Sequence, residues 1–156
     1  KRQLQSAQLF SDSIEKNLQF GIDPEPSFEE LEKAAKAAEI ADDIAQFDKQ
    51  WQTQIGEKGV RLSGGQKQRL ALARIFLRKP PLMLLDDILS AVDNHTEQSL
   101  IEYLDQNKQS MIISSHRTSV LRACDRVLLL EKGSIIDEGL FDELAERHPH
   151  IREDSH

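Results

Sequence analysis

The stretch "RLSGGQKQRLALARIFLRKPPLMLLDD", Arg61 to Asp87, decides how this chain reads. The Ser63 hydroxyl can cap a helix, and nothing in the sequence after it forbids continuation until Pro80 and Pro81. The spacing therefore predicts a helix from Ser63 to the prolines, with Leu70, Ala73 and Leu77 on its buried face. "LMLL", Leu82 to Leu85, is a short continuous apolar run of the kind found in a parallel strand covered on both faces.

The same strand pattern returns downstream in "SMIIS", Ser110 to Ser114, after the helix expected over "HTEQSLIEYLDQ". "RVLLLE" and "SIID", separated by Lys132-Gly133, predict a β-hairpin, and "LFDELAERH" a short last helix. Upstream, "GIDPEPS" from Gly21 to Ser27 is linker-like because its prolines break any regular element. Ser27 followed by Glu30 makes a capping box for the helix "FEELEKAAKAAEIADDIAQF", with Phe28, Leu31, Ala35 and Ala38 along one face. Strands alternating with helices predict an α/β architecture with a partly parallel sheet, preceded by a helical segment from about Ser27 to Lys58.

The 156 residues suffice for one compact domain or for part of a larger one. Hydrophobic residues make up 38% and charged residues 30%, with a net charge of −7. That is the profile of a soluble acidic chain and not of a general nucleic-acid binder. The single cysteine, Cys124, can form no internal disulfide and offers no zinc pattern, so it reads as a small apolar residue of a core helix in a reducing compartment. No apolar run approaches the roughly 18 to 20 residues of a membrane helix, and "KRQLQSAQLF" has no signal-peptide core. The tail "HPHIREDSH" reads as a solvated terminus without fixed metal-ligand geometry.

"LSGGQ", Leu62 to Gln66, puts a serine and two glycines at a helix start, where unpaired N–H groups and the positive dipole end favour an anion such as phosphate. Glycine lets the backbone approach the phosphate oxygens, but by itself the motif is equally a good N-cap. Asp86 and Asp87 end the apolar run, at the strand edge where open α/β sheets bind ligands. One carboxylate there can hold Mg2+ while its neighbour orients or deprotonates a water, although Asp is also a common turn former. "SAVD", ending in Asp93, and "SSH", ending in His116, follow at the ends of successive elements and favour the site.

Taken together, these motifs resemble the C-terminal two thirds of the nucleotide-binding domain of an ATP-binding cassette (ABC) exporter, over about Gln3 to Leu144. "QSAQLFSDSI" resembles the Q-loop, with Gln5 as the glutamine that senses Mg2+ and faces the membrane domain; "GEKGVRLSGGQKQRLALAR" resembles the X-loop and signature helix. "LMLLDD" resembles Walker B, "SAVD" the D-loop, and His116 in "IISSHRTS" the H-loop histidine. The resemblance implies a partial P-loop-NTPase-like core, a mostly parallel sheet with flanking helices, plus an α-helical signature subdomain. It divides one incomplete domain into a Q-loop region over about residues 1–20, a helical subdomain over about 21–80 and the C-terminal part of the core over about 81–156.

It also implies an ATPase on the cytoplasmic face of a membrane, working head to tail with a second nucleotide-binding domain and bound to a transmembrane domain, with Mg2+ as cofactor and no nucleic acid as partner. Asp86 and Gln5 would serve Mg2+, Asp87 and His116 would be catalytic, and Gln5, Ser63, Gly64, Gly65, Gln66 and Asp93 would contact nucleotide.

Two departures from the family pattern stand out. A Walker A loop needs Gly, four residues, then Gly-Lys-Ser or Gly-Lys-Thr; the pair Gly59 and Gly64 has the spacing, but Gly65-Gln66 follows it. The expectation is a chain that begins before its Q-loop with Walker A upstream of Lys1, and that is inactive by itself. Second, Asp87 stands where hydrolytic members carry glutamate, the pattern of the degenerate-site half of a heterodimer. Rival readings are a non-catalytic dimerisation or regulatory module, and a soluble DNA-repair-type ABC ATPase. The latter inserts long coiled coils, whereas Gln5 and Leu62 are separated by a short segment without sustained heptads.

Overall fold

A computed structural model describes residues 9–56, 59–87, 89–107 and 109–152. The first elements are β1 (Asp12–Ser13) and α1 (Ile14–Gln19), then α2 (Phe28–Ala37), α3 (Ala41–Gln46) and β2 (Gln54–Ile55). β1 and β2 pair antiparallel, Asp12 opposite Ile55, closing this helical segment at its base. Asn17, fully buried, folds the chain before α1 around itself. Its Oδ1 accepts from Phe10 N at 2.7 Å, and its Nδ2 donates to the carbonyls of Phe10 at 3.0 Å and Ser13 at 2.9 Å. A buried amide costs stability unless its hydrogen-bonding groups are met, and here both ends are.

The Ser27–Glu30 capping box forms as the sequence predicts and starts α2. Its buried face is Leu31, Ala34 and Ala35, with Ala38 just beyond the helix end. Phe28 departs from the expected stripe: it is exposed and meets Trp51 edge-on at 5.3 Å.

α4 (Gly64–Arg78) is the long central helix, packed on both α1 and α2. It ends as expected before the prolines, with Lys79 in the left-handed region at φ 44° and its N–H returning to Ile75. The buried residues are Gly65, Leu70, Leu72, Ala73 and Phe76, a wider surface than one stripe, while Leu77 is only partly buried. Two partners at an angle require two apolar rows, which moves the centre of burial to Leu72.

β3 (Met83–Asp86) and β4 (Met111–Ser114) pair parallel in the register Met83–Met111 to Asp86–Ser114, joined through α5 (Asn94–Asn107). One correction concerns coverage. Met83 and Leu85 are buried, but Leu84 is 69% exposed and its register partner Ile112 is 63% exposed. The apolar run predicts two covered faces; in the described residues only one is covered.

After α6 (Thr118–Arg122), β5 (Val127–Glu131) and β6 (Ser134–Gly139) form the predicted hairpin. Lys132 at φ 48° and Gly133 at φ 82° are both left-handed. They supply what a two-residue turn with the right twist needs. The hairpin and α7 (Phe141–Arg147) bury a small second core of Val127, Phe141, Leu144 and Ala145, apart from the main one. Cys124 sits half-buried in the turn after α6, not within a helix, and its Sγ donates to the Val120 carbonyl at 3.3 Å. Burial pushes its thiol above the usual range. Among the described residues the strands form three separate two-stranded sheets, of which β3–β4 is parallel and the other two antiparallel. No helix there is long and apolar enough to cross a membrane.

Candidate functional site

Parallel pairing of β3 with β4 brings the chemistry-bearing residues to one sheet edge. Asp86 and Ser114 are register partners, and the Ser114 hydroxyl donates to Asp86 Oδ1 at 2.6 Å, fixing that carboxylate at the strand end. The ladder continues one step further, with Asp87 N donating to the Ser114 carbonyl at 3.0 Å. Asp87 then turns the chain away at φ 48°. Aspartate tolerates that left-handed conformation better than most residues. His116, exposed, follows Ser114 by two residues at the same edge. Asp86 and Asp87 thus close β3 and exposed His116 follows the end of β4, at the C-terminal ends of two adjacent parallel strands.

The second group lies at the N-terminus of α4. Ser63 Oγ accepts from Gln66 N at 3.1 Å, and Gln66 Oε1 accepts from Ser63 N at 2.9 Å, a reciprocal capping box. The Gln66 amide also donates to Asp43 at 2.7 Å, and Asp43 is paired with Arg69 at 2.9 Å. Gln66 is thus held inward against α3 in this state. Ser63 and Gly64 are exposed, whereas Gly65 is buried. A β-carbon on Gly65 would stand 2.6 Å from the Ala91 carbonyl oxygen. The second glycine is needed for packing inside the chain, a reason that its phosphate-cradle reading did not supply.

Segment 89–93 lies between the two groups. Ser90 and Ala91 touch α4 through Gln68, whose Oε1 accepts from Ala91 N at 3.2 Å and whose Nε2 donates to Ser90 Oγ at 3.4 Å. Asp93 is turned to α5, where it accepts from Thr96 N at 3.0 Å and Thr96 Oγ1 at 2.7 Å. Those two bonds, the backbone N–H first, hold its carboxyl down to about 2. Gln5, the remaining expected site residue, lies outside the described residues. Among the described residues no cluster of three or more His, Cys, Asp or Glu could by itself hold a metal.

The family model described as ABC transporter matches residues 2–90. This chain belongs to the ABC transporter family. Its relatives include the multidrug resistance-like ATP-binding protein MdlA of Buchnera aphidicola, 45% identical over 143 residues, covering 90% of this chain and 24% of that protein. An ATP-dependent lipid A-core flippase of Methylobacillus flagellatus is 42% identical over 139 residues, covering 87% of this chain and 24% of the flippase. The structure of a bacterial Atm1-family ABC exporter with ATP bound superposes with a TM-score of 0.87 at 35% identity, over 95% of this chain and 27% of the exporter. The ABC transporter chain described here thus spans about a quarter of the length of these relatives.

Within this ABC transporter chain, sequence reasoning passed over several residues that organise the site: Ser114, Gln68, Asp43, Glu97 and Arg117. Two of them carried a signal. Gln68 follows Gly65 by one helical turn and so shares its face, and Ser114 falls opposite Asp86 once the two apolar runs are aligned as parallel strands.

Proposed function

We propose that this chain is part of the ATP-binding domain of an ABC exporter, coupling ATP binding and hydrolysis to export across a membrane whose cytoplasmic face it occupies. The observation that carries this reading is the edge formed by Asp86, Asp87 and His116 at the ends of parallel β3 and β4, with the signature helix α4 in the same chain. The donor chemistry at that edge fits Mg2+, which takes few protein carboxylates together with phosphate oxygens and water. Asp86, oriented by Ser114, would hold it, and Mg2+ bound there neutralises charge on the transferring phosphoryl group. Asp87 orients the attacking water and His116 donates toward the γ-phosphate. Ser63, Gly64 and Gln66 present the positive end of α4 to the nucleotide of a second domain arranged head to tail, Gln66 after release from Asp43.

Asp87 supports the finer reading that this domain is the degenerate-site half of a heterodimer. A carboxylate one methylene shorter than glutamate stands back from the water, and misplacement near 1 Å costs on the order of 10²-fold in rate. The test is single-turnover ATP hydrolysis by the complete transporter. Asp86→Asn and His116→Ala should each lower Mg2+-dependent hydrolysis at this site, and Asp87→Glu should raise it. Rates unchanged in all three variants would remove the edge from the reaction.

A further inference from the structure

The amide of Gln66 is engaged twice within the chain. Its Oε1 accepts from Ser63 N at 2.9 Å, and its Nε2 donates to Asp43 Oδ1 at 2.7 Å. A carboxylate only accepts, whereas an amide accepts at its oxygen and donates at its nitrogen. Asp43 therefore admits a single orientation of the Gln66 side chain, nitrogen toward α3 and oxygen toward the signature backbone. This bond is charge-assisted, about twice as strong as one between neutral groups. Asp43 is itself fixed. Its other oxygen pairs with Arg69 Nη1 at 2.9 Å, and the same nitrogen donates to the Glu39 carbonyl in the turn between α2 and α3. Six residues long and without a side-chain cap, α3 is too short to keep its place by its own hydrogen bonds. Buried Ile44 anchors it, and Arg69 of α4 ties down both its entry turn and its first turn.

We infer that Asp43 is a latch on the signature motif: it holds the Gln66 amide against α3, and a nucleotide presented by a second domain has to win that amide from it. The inference rests on the function proposed above, in which Gln66 contacts nucleotide only after leaving Asp43. Asp43 touches no nucleotide in this scheme and acts through Gln66 as a positioning residue. Its two oxygens let the latch open without disturbing the rest of the network. When Gln66 turns outward, Asp43 keeps Arg69 on Oδ2, so no charge loses its partner, and Oδ1, on a side chain 24% exposed, passes to water. Had Gln66 been the sole partner of a fully buried carboxylate, release would strand a charge, which costs more than one hydrogen bond. Ser63 and Gly64 need no such release, since both are exposed. The latch thus acts on one side chain with two positions. Nucleotide affinity at the site this signature completes is lowered by the fraction of time that Gln66 spends on Asp43.

The test uses the complete transporter and reads the concentration of a Mg2+-bound, non-hydrolysable ATP analogue that half-closes the two nucleotide-binding domains, by energy transfer between a fluorescent label on each. Asp43→Ala removes the latch and should lower that concentration about tenfold, the effect of one hydrogen bond to a charged group. Asp43→Asn keeps the shape and an acceptor oxygen but not the charge. It should lower the concentration about threefold, and because it preserves the packing of α3 it decides the matter even where Asp43→Ala does not fold. A double-mutant cycle separates the latch from a general role of Asp43 in holding α3. In a Gln66→Ala background, Asp43→Asn should shift closure by less than about 1.5-fold, because nothing remains for Asp43 to hold. Closure by Asp43→Asn at the wild-type concentration or a higher one would overturn the inference. So would a shift that persists in Gln66→Ala, since it would trace the effect to Arg69 and α3 alone. A wild-type transporter that neither closes on the analogue nor hydrolyses ATP would instead sink the proposed function, and the latch with it, so the two failures are distinguishable.

Discussion

Gly64 and Gly65 are neighbours in sequence and opposite in environment. A β-carbon on Gly64 would meet the Ala91 methyl at 3.7 Å, ordinary contact, while one on Gly65 would stand 2.6 Å from the Ala91 carbonyl oxygen. Gly65→Ala should therefore lower stability by about 1–3 kcal/mol through overpacking, and Gly64→Ala should change it by less than about 1 kcal/mol. Urea unfolding of the two variants checks this, and equal effects would mean that Ala91 yields freely. Asp93 supplies a pH dependence at the same scale. Its carboxyl is held at about 2 in the folded chain by Thr96, against an ordinary value of 3.8. A depressed folded value means that the ionised cap stabilises fully above the ordinary value and that its contribution is lost as pH falls toward the folded one. Asp93→Ala should accordingly be less stable than wild type at pH 7, with the difference shrinking between about pH 4 and pH 2 as both are melted.

At the scale of elements, α4 decides most. Leu72 is fully buried in a helix packed on two others, so Leu72→Ala should cost about 2–5 kcal/mol in chemical denaturation, and the partly buried Leu77→Ala clearly less. The sequence predicts the opposite weight, because a single-stripe helix centres on Leu70, Ala73 and Leu77 and a helix with two partners does not. What was legible had a local cause: the caps at Ser27 and Ser63, the prolines after Lys79, and the left-handed pair Lys132-Gly133. α1, β1 and β2 left no such trace. Two-residue strands have no period, and α1 is placed by the buried Asn17, whose bonds are visible only once the loop before it is folded. The candidate site divides in the same way. The Asp86 and His116 edge follows from two apolar runs that must lie parallel, whereas Gln68 and Arg117 act on Ser90 from 22 and 27 residues away. Bonds of that range from side chain to loop have no sequence periodicity to announce them.

At the scale of the whole molecule, the exposed face of β3 and β4 governs how the chain behaves by itself. Leu84 and Ile112 are register partners on that face, 69% and 63% exposed, and Leu82 beside them is 47% exposed. Scattered apolar residues on a surface are ordinary, but adjacent ones on a strand pair form a contiguous patch with hydrophobic free energy still available. The hairpin adds Leu130 at 64% and Ile135 at 58%. Burial of a leucine or isoleucine side chain is worth about 1.5–3 kcal/mol, so association of two such faces outweighs modest electrostatic repulsion from a net charge of −7. The isolated chain should bind a hydrophobic dye and should show concentration-dependent sedimentation in the micromolar range where exposed apolar surface drives association. Leu84→Thr combined with Ile112→Thr places β-branched, strand-compatible but less apolar side chains on that face. The double variant should weaken self-association by at least about tenfold while leaving the far-ultraviolet circular dichroism unchanged. Association as strong as in wild type would transfer the sticky surface to the hairpin, where the matching change at Leu130 and Ile135 would then have to abolish it.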